Sequence, residues 1–187
     1  MTTDRPSGIR LVAWTPADFA NRLTDVIEVY GQAMAYDVGL LDARRGYMAT
    51  HIHRPEFRAV ATLDHLGGLV GFGYGYLSER GQWWHDQVRN ALDREARQTW
   101  LTDCFEIVEL HVRPAAQGYG IGAALITALL RMAPGNRTLL STPEADESTS
   151  RAWRLYRRFG FVDVLRHFMF PGDDRPFAIL GRPNRLD

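Results

Sequence analysis

Three glycines stand within five residues in the segment QGYGIG, residues 117–122, between an apolar strand-like run and an apolar helix-like run. Glycine weakens regular structure, so Gly118, Gly120 and Gly122 need a local reason. Free amides at a helix N-terminus bind phosphate when the backbone can approach it, and glycine permits both that approach and a positive φ. The spacing therefore predicts a pyrophosphate-binding loop, with a tight, closely packed turn as the structural alternative.

Two common phosphate-binding motifs fit this loop incompletely. A P-loop requires Lys and then Ser or Thr after its last glycine, whereas Ala123 and Ala124 follow Gly122. The dinucleotide pattern G-x-G-x-x-A does match from Gly118 to Ala123. However, the first glycine of that motif lies at the end of the strand, whereas residues 113–117 intervene here. A dinucleotide-binding fold also begins with this strand–loop–helix unit, whereas several elements precede it in this chain. A dinucleotide site remains an alternative.

The segment ELHVRPAAQGYGIGAAL resembles the acetyl-CoA signature of the GNAT N-acetyltransferases, whose core is Gln/Arg-x-x-Gly-x-Gly/Ala. Gln117, Gly120 and Gly122 match that core in register. A second segment, SRAWRLYRRFGF, resembles another block of the family and matches it at Ala152, Leu155, Tyr156, Gly160 and Phe161. Two blocks in the right order are far more specific than either block alone. One departure is Thr149, where many members carry Asn.

The resemblance implies acetyl-CoA as the cosubstrate and no metal. Its pyrophosphate is expected on the backbone amides around Gly118, Gly120, Gly122 and Ala123. The other cofactor-binding residues expected in this segment are Gln117, Tyr119 and Ile121. Pantetheine is expected to pair like an added strand with the backbone of Leu110, His111 and Val112. An amide near Val112 would stabilise the oxyanion as the thioester is attacked. Thr149 is the remaining expected cofactor contact.

Three catalytic candidates also come from the resemblance. Tyr156 would protonate the departing thiolate, since a phenol is ordinarily protonated at neutral pH; the alternative is a core tyrosine. Glu109 or Glu106 would remove the acceptor's proton, directly or through water, and we favour Glu109. Residues three apart on a regular strand face opposite sides, so only a bulge would bring both glutamates to one site. Either glutamate is otherwise a surface carboxylate.

The acceptor site is expected near Tyr36 and Asp37, where the first helices of the family line it, and near Trp83 and Trp84. The two tryptophans would wall a pocket for a small-molecule amine; alternatively they fasten an inserted helix to the core. The predicted function is direct acetyl transfer from acetyl-CoA to an amine, expected to be a small molecule. A protein lysine or N-terminus is the alternative acceptor, and a non-catalytic acetyl-CoA sensor is the alternative function.

The order of elements predicts the fold that positions these residues. Strand-like and helix-like periods alternate through the middle of the chain, with local hairpins at both ends. The fold class expected is α/β (α+β): a GNAT-like fold with a mixed, mostly antiparallel sheet, splayed central strands and helices on both faces. Residues 1–8 are expected to form a flexible tail before a single domain over 9–187, with a helical insertion at about 80–102.

Two helices carry further expectations. Apolar spacing predicts one helix from Pro16 to Met34. An i+4 line of apolar residues predicts one amphipathic helix over 82–101, with Asp93 and Arg97 paired on its outer face.

Composition narrows the classes of function. The chain has 22 Lys and Arg and 22 Asp and Glu, so its formal net charge is zero. It therefore lacks the overall excess of basic residues that is typical of nucleic-acid-binding proteins. No apolar run reaches membrane-spanning length, and the N-terminal residues lack a signal-peptide core, so we expect a cytoplasmic protein without membrane partners. Cys104 is the single cysteine and is expected to be a buried apolar residue. His51 and His53 lack the further ligands of a metal site. Family habit suggests a homodimer.

Overall fold

The computed structural model of the chain describes residues 8–36 and 38–184. The strands within these residues are β1 Arg10–Trp14, β2 Arg58–Leu63, β3 Leu69–Ser78, β4 Cys104–Val112, β5 Arg137–Pro143, β6 Val162–Met169 and β7 Pro176–Pro183. The α-helices are α1 Pro16–Asn21, α2 Leu23–Met34, α3 Val38–His51, α4 Trp83–Ala91, α5 Arg94–Trp100, α6 Ile121–Met132 and α7 Arg151–Arg158. Most of the expected tail lies outside the described residues.

Contacts divide the chain into two units, and strand β4 contributes residues to both. The first unit contains the described residues up to Tyr76 together with Glu109–Met132. The second contains Leu77–Val108 and the described residues from Ala133 onward. A single domain over 9–187 stays a prediction.

The first unit is built on an antiparallel meander of β1, β2 and β3. Arg10 to Trp14 pair with Leu63 back to Ala59, and β2 pairs with β3 in the hairpin that the sequence predicts. The ring of Phe19 from α1 is fully buried. The rings of Phe57, Phe72 and Tyr74 surround it at 5.4, 6.4 and 5.0 Å, mostly edge-on. This aromatic cluster fixes α1 on the sheet, since such pairs add to the hydrophobic stabilisation.

The second unit orders its strands as β4, β5, β7 and β6. β4 is parallel to β5, whereas β5 with β7 and β6 with β7 are antiparallel. The ladder between β4 and β5 ends where Glu106 faces Leu139, although both strands continue. Its core includes Trp84, Val88, Leu92, Leu101, Cys104, Leu139, Phe170 and Ile179.

Two of the predicted helices are each divided in the structure. The helix predicted from Pro16 to Met34 is broken at Arg22, so α1 and α2 are separate. α1 begins with a capping box in which the Thr15 hydroxyl accepts from the amide of Asp18, while the Asp18 carboxylate accepts from the amide of Thr15.

The helix predicted over 82–101 is also two helices. Leu92 is extended, with φ −89° and ψ 147°, and Asp93 caps α5 by accepting from the amide of Ala96 at 2.8 Å. The predicted surface ion pair between Asp93 and Arg97 is therefore wrong. The Asp93 side chain instead accepts a hydrogen bond from a free amide at the start of α5, which stabilises the helix end. Arg97 instead donates through Nε to the carbonyl of Arg89 at 2.7 Å.

The strand order over the whole sheet is β1-β2-β3-β4-β5-β7-β6. This mixed, mostly antiparallel sheet, with helices between its strands, confirms the predicted fold class. Among the described residues, no helix is both long enough and apolar enough to cross a membrane.

Candidate active site

The glycine loop connects β4 to α6 within the first unit. A 3₁₀ turn at Pro114–Ala116 leads to Gly118 at φ +91° and Gly120 at φ +82°. A Cβ on either glycine would meet nothing within 4 Å. These glycines are therefore required by backbone conformation and not by close packing, since side-chain-bearing residues rarely adopt a positive φ.

The start of α6 leaves backbone donors available. Its helical hydrogen bonding begins where the Ala124 amide donates to the carbonyl of Gly120 at 3.0 Å. The preceding amides of residues 121–123 have no acceptor within the helix. The open space above the glycines, the free amides and the positive end of a 12-residue helix fit the pyrophosphate of a coenzyme.

Two side chains hold this loop in place. Gln117 donates through Nε2 to the carbonyl of Val112 at 3.1 Å, which ties the loop to the end of β4. Arg113 donates from its amide to Val70 O at 2.9 Å and from Nε to Leu69 O at 2.6 Å. It also reaches Glu28 at 2.8 Å on α2. The sequence interpretation missed Arg113; its signal is a lone cation directly after a strand.

Two glycines of β3 let the last residues of β4 lie close by. A Cβ at Gly71 would be 2.9 Å from the carbonyl oxygen of His111. A Cβ at Gly73 would be 2.8 Å from Leu110 Cδ1 and 3.3 Å from the Glu109 carbonyl oxygen. The contact at Gly71 is with backbone, so a side chain there would displace the strand, whereas at Gly73 the shortest contact is with the end of a flexible leucine side chain. The sequence signal is the alternation GFGYG in β3.

Glu109 and His111 form a side-chain pair on one face of β4. Glu109 Oε2 lies 2.6 Å from His111 Nε2, and the two side chains are only 15% and 14% exposed. The imidazole packs edge-on against Tyr30 at 5.1 Å and lies 5.7 Å from the ring of Phe72. Residues two apart on a strand share a face, so this pairing follows from the local geometry.

A second histidine lies in the same unit. His51, at the end of α3, hydrogen-bonds through Nδ1 to the Tyr74 hydroxyl at 2.9 Å. Burial, with smaller contributions from the charges of Arg54 and Arg44, lowers the pKa of His51 to about 4, although the Glu109 carboxylate opposes this shift. His51 is therefore neutral at neutral pH.

The other two catalytic candidates belong to the second unit. Glu106 is buried, at 4% exposure, on β4. Tyr156 is buried on α7, with its ring 5.9 Å from that of Phe161. Cys104 is fully buried, as predicted, and burial together with the nearby Glu106 raises the pKa of its thiol. A buried thiol with a raised pKa is a poor nucleophile.

Thr149 is engaged locally in the second unit. Its hydroxyl donates to the carbonyl of Asp146 at 3.2 Å in the turn before α7. Ser150 caps α7 by accepting from the amide of Trp153 at 3.4 Å. A cofactor contact by Thr149 stays a prediction.

The acceptor candidates differ in exposure. Trp84 is 8% exposed, and its Nε1 donates to Ser141 Oγ at 3.3 Å within the core of the second unit. Trp83 is 55% exposed and stacks on Phe170 at 5.4 Å. Tyr36 is half-buried in the first unit, 5.8 Å from the ring of Tyr30. Asp37 lies outside the described residues. The surroundings of Trp84 favour packing as its role, and an acceptor role stays a prediction for these residues.

Comparison with known proteins assigns the class that the fold and loop define. The model of the acetyltransferase (GNAT) family matches residues 23–161, so the chain belongs to this family and is an N-acetyltransferase. Across residues 8–36 and 38–184, no group of three or more His, Cys, Asp or Glu residues could hold a metal.

Individual relatives extend over nearly the whole chain. A GCN5-like protein acetyltransferase of Mycobacterium tuberculosis is 38% identical, with 93% of this chain and 97% of that protein aligned. An acetyltransferase structure of the GNAT family from Desulfovibrio desulfuricans has TM-score 0.66 at 12% identity, covering 95% of this chain and 100% of that one. The ribosomal-protein-S18-alanine N-acetyltransferase of Escherichia coli has TM-score 0.65 at 14% identity, covering 96% of each chain.

Proposed function

We propose that this chain transfers an acetyl group directly from acetyl-CoA to an amine. The observation that carries the proposal is the turn at Gly118 and Gly120, which opens onto free amides at the start of α6. The amides around Gly118, Gly120, Gly122 and Ala123 would hold the pyrophosphate. The backbone of residues 110–112 would pair with pantetheine. Gly71 and Gly73 of β3 let this part of β4 lie close to β3.

Residues of the chain would supply the proton transfers. Bound acetyl-CoA supplies an activated thioester carbonyl. The amide near Val112 would donate to the oxyanion. Glu109 or Glu106 would remove the acceptor proton, directly or through a relay, and Tyr156 would protonate the thiolate. Each role rests on the motif match, with the burial of these side chains as support.

The acceptor class has two candidates. The sequence interpretation favours a small-molecule amine. The name of the 38% identical relative describes a protein acetyltransferase, and this observation favours a protein amine. We therefore propose that a protein lysine or N-terminus be tested first and small amines second. A cytoplasmic location and a homodimer stay predictions.

The test is calorimetric titration with acetyl-CoA, with NADH as the control ligand. Gly120→Glu should abolish acetyl-CoA binding, because it places a carboxylate and a strained backbone where the pyrophosphate would lie. Gly67→Glu is the matched control, since Gly67 has the same φ of +82° and open space in the β2–β3 turn. It should bind normally.

The outcomes separate the alternatives. Equal loss in both variants, or binding of NADH instead, would refute the assignment of the loop to acetyl-CoA. CoA release is then followed with lysine peptides, N-terminal peptides and small amines. Acetyl-CoA binding without CoA release from any of these acceptors would favour the sensor function.

A further inference from the structure

If the chain is the transferase proposed above, the contact between Glu109 and His111 indicates which atom removes the proton from the acceptor amine. The imidazole is held on two sides, by Tyr30 and by Phe72. Its Nε2 lies 2.6 Å from Glu109 Oε2. A carboxylate can only accept, so the proton between these atoms belongs to Nε2.

This arrangement leaves the other ring nitrogen with an unshared electron pair. Within residues 8–36 and 38–184, Nδ1 of His111 has no hydrogen-bond partner. The Nε2–H tautomer that Glu109 selects puts a lone pair on Nδ1. The other partly buried histidine of this unit, His51, uses its own Nδ1 on the Tyr74 hydroxyl and resists protonation because it is desolvated. On His111, by contrast, no donor occupies Nδ1 among the described residues.

We infer that His111 Nδ1 is the general base for the acceptor amine and that Glu109 is a positioning residue. In this step an N–H bond of the ammonium breaks, its electron pair stays on the amine nitrogen, and an N–H bond forms at Nδ1. The imidazolium keeps its Nε2–H bond to the Glu109 carboxylate, which balances the new charge. An imidazole is ordinarily a stronger base than a carboxylate, so it suits this transfer at neutral pH.

Two near-isosteric variants test the assignment by steady-state kinetics with an accepted amine. His111→Gln can still donate to Glu109 but has no basic nitrogen, and kcat should fall at least about 100-fold. Glu109→Gln can still accept from Nε2–H, and kcat should fall about tenfold or less. The KM for acetyl-CoA should stay within about threefold of wild type in both variants, because neither change touches the backbone or the glycine loop.

The ranking of the two losses decides between the bases. An equal or larger loss in Glu109→Gln makes Glu109 the base and overturns the inference. A His111→Gln enzyme within about threefold of wild type overturns it as well. Thermal denaturation and acetyl-CoA titration of each variant verify that the protein compared is folded and binds the cosubstrate.

Nitrogen-15 spectra of the imidazole provide a readout that does not depend on activity. Wild type and Glu109→Gln should show the proton almost entirely on Nε2, whereas Glu109→Leu should show a larger share of rings with the proton on Nδ1. A neutral wild-type ring with its proton on Nδ1 refutes this inference and leaves the transferase reaction standing. Absence of acetyl transfer by wild type refutes the proposed function itself.

Discussion

Neighbouring tryptophans on α4 offer a sharp test of which side of this helix faces the core. Trp84 is 8% exposed among apolar residues of the second unit, and its indole donates to Ser141 Oγ at 3.3 Å. Trp83 is 55% exposed and contacts Phe170 by ring stacking. Replacing each with alanine removes the same side chain from two different environments.

The structure sets the expected magnitudes. Trp84→Ala removes a buried indole and leaves a cavity, which costs about 3–5 kcal/mol of unfolding free energy. At about 2–4 °C per kcal/mol for a chain of this size, the melting temperature should fall by about 6–20 °C. Trp83→Ala loses mainly one stacked aromatic pair, worth about 0.5–1.5 kcal/mol. Trp84→Ala should thus be the more damaging variant by at least about 1.5 kcal/mol.

Thermal and urea denaturation of both variants, followed by circular dichroism, measure these differences. A Trp84→Ala protein within about 1 kcal/mol of wild type would refute the assignment of Trp84 to the core. A larger loss in Trp83→Ala would do so as well. A normal KM for the acceptor in Trp83→Ala would count against the predicted aromatic wall.

A glycine and a histidine give the remaining predictions. Gly135→Ala should cost about 2–4 kcal/mol, because its Cβ would lie 2.4 Å from the Asp103 carbonyl oxygen at a φ of +79°. Gly172→Ala, at φ +87° in open space, should cost only about 1–2 kcal/mol in the same denaturation assay. Because the pKa of His51 is lowered to about 4, the unfolded chain binds a proton there before the folded one does, so stability falls as the pH drops from about 6.5 toward 4. His51→Gln should remove about 2–3 kcal/mol of the difference in stability between pH 7 and pH 4.5.

These two predictions have clear contrary results. Equal costs for the two alanine variants would mean that the Asp103 carbonyl moves without penalty. An unchanged pH dependence in His51→Gln would mean that this imidazole titrates alike in the folded and unfolded chain. His85, whose pKa is also lowered by burial, is present in both proteins and cancels from the comparison.

Local sequence determined the family, the fold class and several elements. The two coenzyme blocks identified the GNAT family, which the family model confirms over residues 23–161. The apolar strand-like and helix-like runs predicted on either side of the glycine loop are β4, Cys104–Val112, and α6, Ile121–Met132. Both are strongly apolar, with clear changes of composition at their ends, so their periodicity is unambiguous. The positive φ of Gly118 and Gly120 also agrees with the sequence argument.

Helix continuity needed information that periodicity lacks. The apolar line through 82–101 is preserved in the core contacts, yet the helix ends at Ala91 and restarts at Arg94. An i+4 pattern of apolar residues can continue across a short extended segment, so the pattern does not reveal that the helix is interrupted there. The cap at Asp93 was the available local signal.

The side-chain geometry of the candidate site was decided by tertiary structure. The sequence shows E-x-H in β4, but the 2.6 Å contact depends on aromatic rings from α2 and β3 that fix the imidazole. Likewise, the need for Gly71 comes from a carbonyl 40 residues along the chain, at His111. Motifs are local in sequence, so the sequence alone was enough to predict the class of reaction. Burial and contacts between distant segments exist only once the chain has folded, so only the tertiary structure shows which side-chain atoms lie close together.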